Sequence, residues 1–152
     1  MTKVEDRFKL IPAVVVMLCR KDKILLLKRK HSGWEDGNFA LIGGCVDGNE
    51  TILDAAIREA REESGVTLYK KNLRIVHVQH RKDEVFDETL NFFIQVFDWD
   101  GDPKIMEPDK CDEMIWCDMD ALPENSVSYL PEIFDDIARG VFYSEWGWPD
   151  SK

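Results

Sequence analysis

Apolar residues run almost unbroken over residues 10–19, with β-branched Ile11, Val14, Val15 and Val16 among them. A polar Arg20-Lys-Asp-Lys23 turn follows, then Ile24, Leu25, Leu26 and Leu27. Neither run alternates cleanly, which predicts a hairpin whose strands are buried on both faces. Pro12 falls near the start of the first strand, where its missing N–H is tolerated. Residues 32–38 are turn formers around Trp34 and predict a loop. Residues 39–42 are a short apolar strand leading into Gly43 and Gly44. From residue 51 the period becomes helical, with Ile52, Leu53, Ala56, Ile57 and Ala60 on one stripe. Thr51, with Asp54 three residues on, predicts the amino-terminal cap, and Gly65 the carboxy-terminal stop. Further strands are predicted over residues 72–79, 89–99 and 113–117, with a charged loop over 80–88. A second helix is predicted over 129–139, ended by Gly140. The aromatic tail, residues 141–148, either packs on the core or meets a ligand.

The first helix carries the most informative polar pattern. Glu59, Glu62 and Glu63 are spaced i, i+3 and i+4 and share one face. Like charges at that spacing destabilise a bare helix by about 0.2–0.5 kcal/mol per pair. A hard divalent cation relieves that repulsion, because such ions prefer carboxylate oxygens, and Mg²⁺ in particular partners with substrate phosphates. The helical wheel places Glu63 at the edge of the apolar stripe and Glu62 well outside it, so the acidic face borders the core. Arg58 lies four residues before Glu62 and can pair with it.

Three residues ahead of the helix add candidate chemistry. Arg29, in the basic Lys28-Arg-Lys-His31 run, is either a solvated strand end or a phosphate contact suited to its planar fork. Trp34 is either a lid over the core or a stacking surface; Phe93, Trp116 and Trp146 are further stacking candidates. Gly43 and Gly44 allow a backbone to approach a ligand closely.

The chain has 152 residues, 44% hydrophobic and 33% charged, which predicts one globular domain with a substantial core. Its net charge of −10 argues against a nucleic-acid polymer or an anionic membrane as partner. A small anionic substrate remains compatible, since bound metal reverses the local field. Cys19, Cys45, Cys111 and Cys117 form no C-x-x-C pair and no zinc spacing, which predicts free thiols in a reducing compartment. The amino terminus has no apolar signal segment, and no apolar run reaches the roughly 20 residues of a membrane span. A cytoplasmic location is the expectation. The apolar strands and aromatic tail leave both a homodimer and a monomer open.

Residues 44–66 resemble the Nudix box, G-x5-E-x7-R-E-U-x-E-E-x-G-U, with U a bulky aliphatic. Gly44, Glu50, Arg58, Glu59, Glu62, Glu63, Gly65 and Val66 all fall on the pattern. Ala60 is small for its aliphatic position, and Ile42 stands where family members usually carry proline or alanine. Ile42 lacks proline's fixed φ and so implies a different local turn.

The resemblance implies an α+β fold, an α/β/α sandwich with a mixed β-sheet and the loop-helix on one side. It implies Mg²⁺ (or Mn²⁺) as cofactor and hydrolysis of a nucleoside diphosphate linked to another group. Glu59, Glu62 and Glu63 would ligate metal, and Gly44 would contact metal or phosphate through its backbone. Glu50 and Arg58 would brace loop against helix, and Arg29, Trp34 and Gly43 would meet the substrate. Glu59, Glu62 and Glu107 are the catalytic candidates; Glu107 is the carboxylate expected beyond the box, with Glu84, Asp87 and Glu88 as rivals.

Subclass markers are absent. Arg81 stands where ADP-ribose hydrolases of the family tend to carry proline. Lys82, Asp83 and Glu84 stand where diadenosine polyphosphate hydrolases tend to carry tyrosine, and the NADH-type marker is missing. By elimination the chain looks most like the mutator-type nucleoside triphosphate pyrophosphohydrolases. The alternatives are a hydrolase of a sugar nucleotide or dinucleotide, or a non-catalytic nucleotide-binding regulator. A prenyl-diphosphate isomerase, which the same fold hosts, would need a Cys/Glu constellation that is not evident.

Overall fold

A computed structural model describes residues 3–149. Eight strands form one mixed sheet: β1 (Ile11–Arg20), β2 (Lys23–Arg29), β3 (Phe39–Ala40), β4 (Ile42–Cys45), β5 (Arg74–Asp83), β6 (Asp87–Val96), β7 (Cys111–Asp118) and β8 (Tyr143–Trp146). Two helices accompany it, α1 (Ile52–Ser64) and α2 (Leu130–Ala138).

β1 is the hub. It turns back into β2 at Cys19↔Ile24 and Arg20↔Lys23. Lower down, the same edge pairs antiparallel with β4, from Ala13↔Cys45 to Val16↔Ile42. Its other edge pairs in parallel with β6 from Ile11↔Thr89 to Leu18↔Val96. The lack of alternation in residues 10–19 now has its cause. Val14, Val16 and Leu18 face the cluster that holds Ala55, Ala56 and Ala60 of α1. Val15, Met17 and Cys19 face the cluster that holds Leu130, Ile133 and Phe134 of α2. One helix therefore covers each face of the sheet, which is the predicted sandwich.

Helix α1 starts as its sequence predicts. Thr51 is the cap, and its hydroxyl oxygen accepts the Asp54 N–H at 3.1 Å. Asp54 does not complete a capping box; its carboxylate accepts from the Thr51 hydroxyl at 2.8 Å and meets Lys70 at 3.0 Å. Gly65, at φ 76°, ends the helix in the left-handed region that a Cβ disfavours.

Two expectations need correction. Gly43 and Gly44 belong to strand β4, not to a loop, and Ile42 is a fully buried strand residue paired with Val16. Residues 80–83 continue β5, and 87–88 begin β6, so the expected charged loop shrinks to the tip of a hairpin. The aromatic tail takes the first of its two expected places: it contains β8, which pairs in parallel with β5 through Val78↔Tyr143 to Arg81↔Trp146, and Trp146 packs on the core. Among the described residues no helix is long and apolar enough to cross a membrane. The four cysteines are free.

Candidate active site

The box closes on itself through Arg58. Its Nη2 donates to Glu50 Oε1 at 2.7 Å and its Nε to Glu50 Oε2 at 3.0 Å. Nη1 donates to Glu59 at 2.8 Å and to Glu62 at 3.4 Å, and Nη2 reaches the Cys45 carbonyl at 3.1 Å. Glu50 in turn accepts the Asp47 N–H at 2.7 Å. One guanidinium thus ties the loop, the end of β4 and the acidic helix face together.

The glutamates differ by depth, and the order of Glu63 and Glu62 is the one the helical wheel predicts. Glu62 is exposed, Glu63 is half-buried and Glu59 is buried. Burial pushes the Glu59 carboxyl above the usual range despite its Arg58 partner. Crowding by protein, with the Glu59 charge beside it, pushes Glu63 up to about 8. Among the described residues Glu63 accepts only the Gly43 N–H, at 3.3 Å.

The two glycines are explained by this packing. A Cβ at Gly44 would collide with the Glu59 carboxyl, and one at Gly43 with the Val14 carbonyl. Gly44 thus lets the acidic face of α1 lie against β4, and Gly43 lets β4 lie against β1.

Glu59, Glu62, Glu63 and Glu107 line one pocket together with Arg29 and Gly43. The rivals Glu84, Asp87 and Glu88 do not line it; Glu88 instead meets His80 at 3.3 Å. As placed, no three carboxylates or imidazoles among the described residues converge on one point. Arg58 draws Glu59 and Glu62 toward itself, and Glu63 turns to Gly43. The donors are nonetheless all carboxylate oxygens, the set a hard divalent cation prefers.

Arg29 and Gly43 also line a second, more apolar cleft with Trp34, Arg81, Asn91 and Tyr129. The Arg29 Nε donates to the Trp34 carbonyl at 2.7 Å, and its guanidinium lies 4.8 Å from the indole centre. Trp34 packs on the core beside α2, one of the two places weighed for it, and also lines the cleft. The other stacking candidates do not reach the cleft. Phe93 is fully buried, Trp116 stacks on Trp99 at 6.2 Å, and Trp146 packs against Tyr129.

Arg81, Asn91 and Tyr129 were not singled out as site residues by the sequence. Arg81 fell in the segment read as a loop. The signal that locates it is the alternation His77, Gln79, Arg81, three polar residues that all prove buried on one face of β5.

A mixed sheet between two helices, with a carboxylate-lined pocket beside an aromatic cleft, defines a class of α+β sandwich with an acidic loop-helix. The chain belongs to the Nudix family, whose domain model, described as "NUDIX domain", matches residues 9–137. It is 40% identical over 79 residues to an ADP-ribose pyrophosphatase of Methanocaldococcus jannaschii, covering 51% of this chain and 46% of that protein. It is 31% identical over 120 residues to the NAD-capped RNA hydrolase NudC of Salmonella typhi, covering 78% and 44%. The chain spans less than half the length of these curated relatives. Among solved structures, a MutT NUDIX hydrolase from Burkholderia pseudomallei superposes with a TM-score of 0.76 at 26% identity, over 84% of this chain and 98% of that one. A MutT protein from Methanosarcina mazei Go1 gives 0.74 at 22% identity, over 85% and 93%.

Proposed function

We propose that the chain hydrolyses a nucleoside diphosphate linked to another group, with a nucleoside triphosphate as the preferred substrate class and a monophosphate and pyrophosphate as products. The observation that carries this reading is the shared wall of the two pockets. Arg29 and Gly43 border four glutamates on one side and an aromatic cleft on the other. A diphosphate with a planar group attached fits across that wall, its phosphates toward the acids and its base toward Trp34.

Glu59, Glu62 and Glu63 would hold Mg²⁺ or Mn²⁺. When bound, the ion neutralises phosphate oxygens and makes water more acidic. Glu59 or Glu107 takes the proton of the attacking water. Glu59 has the raised proton affinity a base needs, while Glu107 lacks the Arg58 contact that holds Glu59 in place. Arg29 contacts phosphate through its fork, and its position keeps the leaving group oriented. Arg58 and Glu50 act as positioning residues for the acidic face.

A second reading has support in the names of the curated relatives: a dinucleotide or sugar nucleotide as substrate, including the capped end of an RNA. The acidic net charge argues against gripping a long polymer but not against taking its terminal diphosphate. A panel of nucleoside triphosphates, ADP-ribose and NAD, each assayed with Mg²⁺, separates the two. Turnover of triphosphates at the highest kcat/KM is expected; inert triphosphates beside rapid ADP-ribose or NAD cleavage would overturn the preference.

A further inference from the structure

The aromatic cleft has a polar floor. Arg81, Thr89 and Asn91 line it, and all three are at least nine-tenths buried. They come from facing positions of β5 and β6, where Arg81 pairs with Thr89 and Gln79 with Asn91. Gln79 lies on the same face as Arg81, fully buried, and its Oε1 has no hydrogen-bond partner among the described residues. Buried polar groups without enough partners are costly in a fold's interior. Arg81, Thr89 and Asn91, which line the cleft as Gln79 does not, are the groups placed to read a ligand there.

Arg81 is the strongest of them. Its guanidinium lies 4.8 Å from the Trp34 ring centre and 5.2 Å from that of Tyr129. Stacking uses the faces of the guanidinium and leaves its N–H edge free to donate in plane. Nε donates to Asp83 at 3.0 Å. The terminal nitrogens make no hydrogen bond to a carboxylate or carbonyl among the described residues; the Tyr129 hydroxyl beside them takes at most one of their four N–H groups. Asp83 also accepts the Val85 and Phe86 N–H groups, at 2.9 and 2.7 Å. It therefore fixes Arg81 and the hairpin tip that carries Phe86, another cleft residue. The cleft has two arginines and no carboxylate in its lining, in a chain of net charge −10. Arg29 is at the phosphate end, so Arg81 is available for the distal group.

We infer that Arg81 is a specificity-determining residue that reads two adjacent hydrogen-bond acceptors on the planar group distal to the diphosphate. This rests on the functional reading above. Among purines, a 6-oxo base presents O6 and N7, both acceptors, to the two parallel donors of an arginine fork. A 6-amino base presents N7 beside an N–H donor, which would face a cationic donor across a dry cleft. A site built on such hydrogen bonds discriminates through the unpaired group that the wrong ligand leaves behind. The cleft therefore favours guanine and hypoxanthine over adenine.

The test uses the full chain without divalent ions and measures calorimetric binding of nucleoside monophosphates, so it does not depend on catalysis. GMP and IMP should both bind at least about tenfold more tightly than AMP, and 7-deaza-GMP should lose most of that advantage. Arg81→Met should abolish the preference, and Arg81→Lys should not restore it, because an ammonium lacks the fork. Equal affinity for GMP and AMP, or no binding of either, would overturn the inference. So would IMP behaving like AMP, which would mean that the 2-amino group is read instead. The wild-type comparison stands even if an Arg81 variant fails to fold. Magnesium-dependent turnover of GTP and ATP, measured in parallel, reports on the catalytic reading separately.

Discussion

Arg58 and Glu50 form a two-bond fork, Nη2 to Oε1 at 2.7 Å and Nε to Oε2 at 3.0 Å, that joins helix α1 to the loop before it. The same guanidinium holds Glu59 and Glu62, so three glutamates depend on one cation, which also meets the Asp47 carboxylate at 3.5 Å. That arrangement pushes Arg58 well above its ordinary value, led by the Glu50 hydrogen bonds. Arg58→Met leaves the three acids facing one another. We expect its melting temperature to fall by on the order of 5 °C, and divalent ions to recover part of the loss. Arg58→Lys should keep charge without the fork and recover only part of the activity. Thermal melts with and without Mg²⁺ check this; an unchanged midpoint in Arg58→Met would count against the brace.

The choice of general base is open to a direct comparison. Glu59→Gln and Glu107→Gln should separate, with kcat falling by roughly 10²–10⁴-fold at the residue that takes the proton and much less at the other. Both rates are compared at saturating Mg²⁺, so that weaker metal binding at Glu59, itself a proposed ligand, is not read as loss of the base. Equal and small losses at both would remove both residues from that role.

Much of the acidic pocket is legible in the sequence because its signals are local. The cap at Thr51, the stripe through Ala60, the stop at Gly65 and the face shared by Glu59, Glu62 and Glu63 all lie within one helix and its ends. The wheel separates Glu63 from Glu62, but the burial of Glu59 depends on its packing against β4 and Gly44, which no helical period shows. The aromatic cleft is hidden because it is assembled from distant strands. Arg81 looked like part of a charged loop, and only pairing with β6 and β8 makes that segment a strand and buries the side chain. β8 itself is a short parallel edge that β5 recruits from far along the chain, and no local period marks it.

Trp34 carries the next prediction. Its indole walls the cleft and meets Arg29 and Arg81 at 4.8 Å each. Trp34→Ala should raise KM by roughly tenfold, the loss expected for one base-stacking surface, while kcat changes less. Steady-state kinetics check this. A fall in kcat at constant KM would place Trp34 in the chemistry and not in binding.

The loop that carries Trp34 has its own pH signature. The Ser32 hydroxyl, the Ser32 N–H and the Gly33 N–H donate to Asp36 at 2.5, 2.9 and 2.9 Å. They hold its carboxyl down to about 2. The folded value lies below the unfolded one, so the contribution of Asp36 is fully present above roughly pH 4. It is lost as pH falls through about 2. Carbon-detected NMR of the Asp36 carboxyl should show no titration between pH 6 and about 4. A midpoint near the ordinary aspartate value of about 3.9 would show that the loop does not hold it.

The central claim is that the glutamate pocket works with a divalent ion on a nucleotide diphosphate. Its most direct test is turnover of a nucleoside triphosphate by protein stripped of metal and then titrated with Mg²⁺, for wild type and Glu63→Gln. The account predicts no product without metal and pyrophosphate release restored by Mg²⁺. It also predicts a Mg²⁺ requirement raised at least about tenfold in Glu63→Gln. Full turnover in the stripped protein, or a Mg²⁺ dependence unchanged by Glu63→Gln, would contradict it.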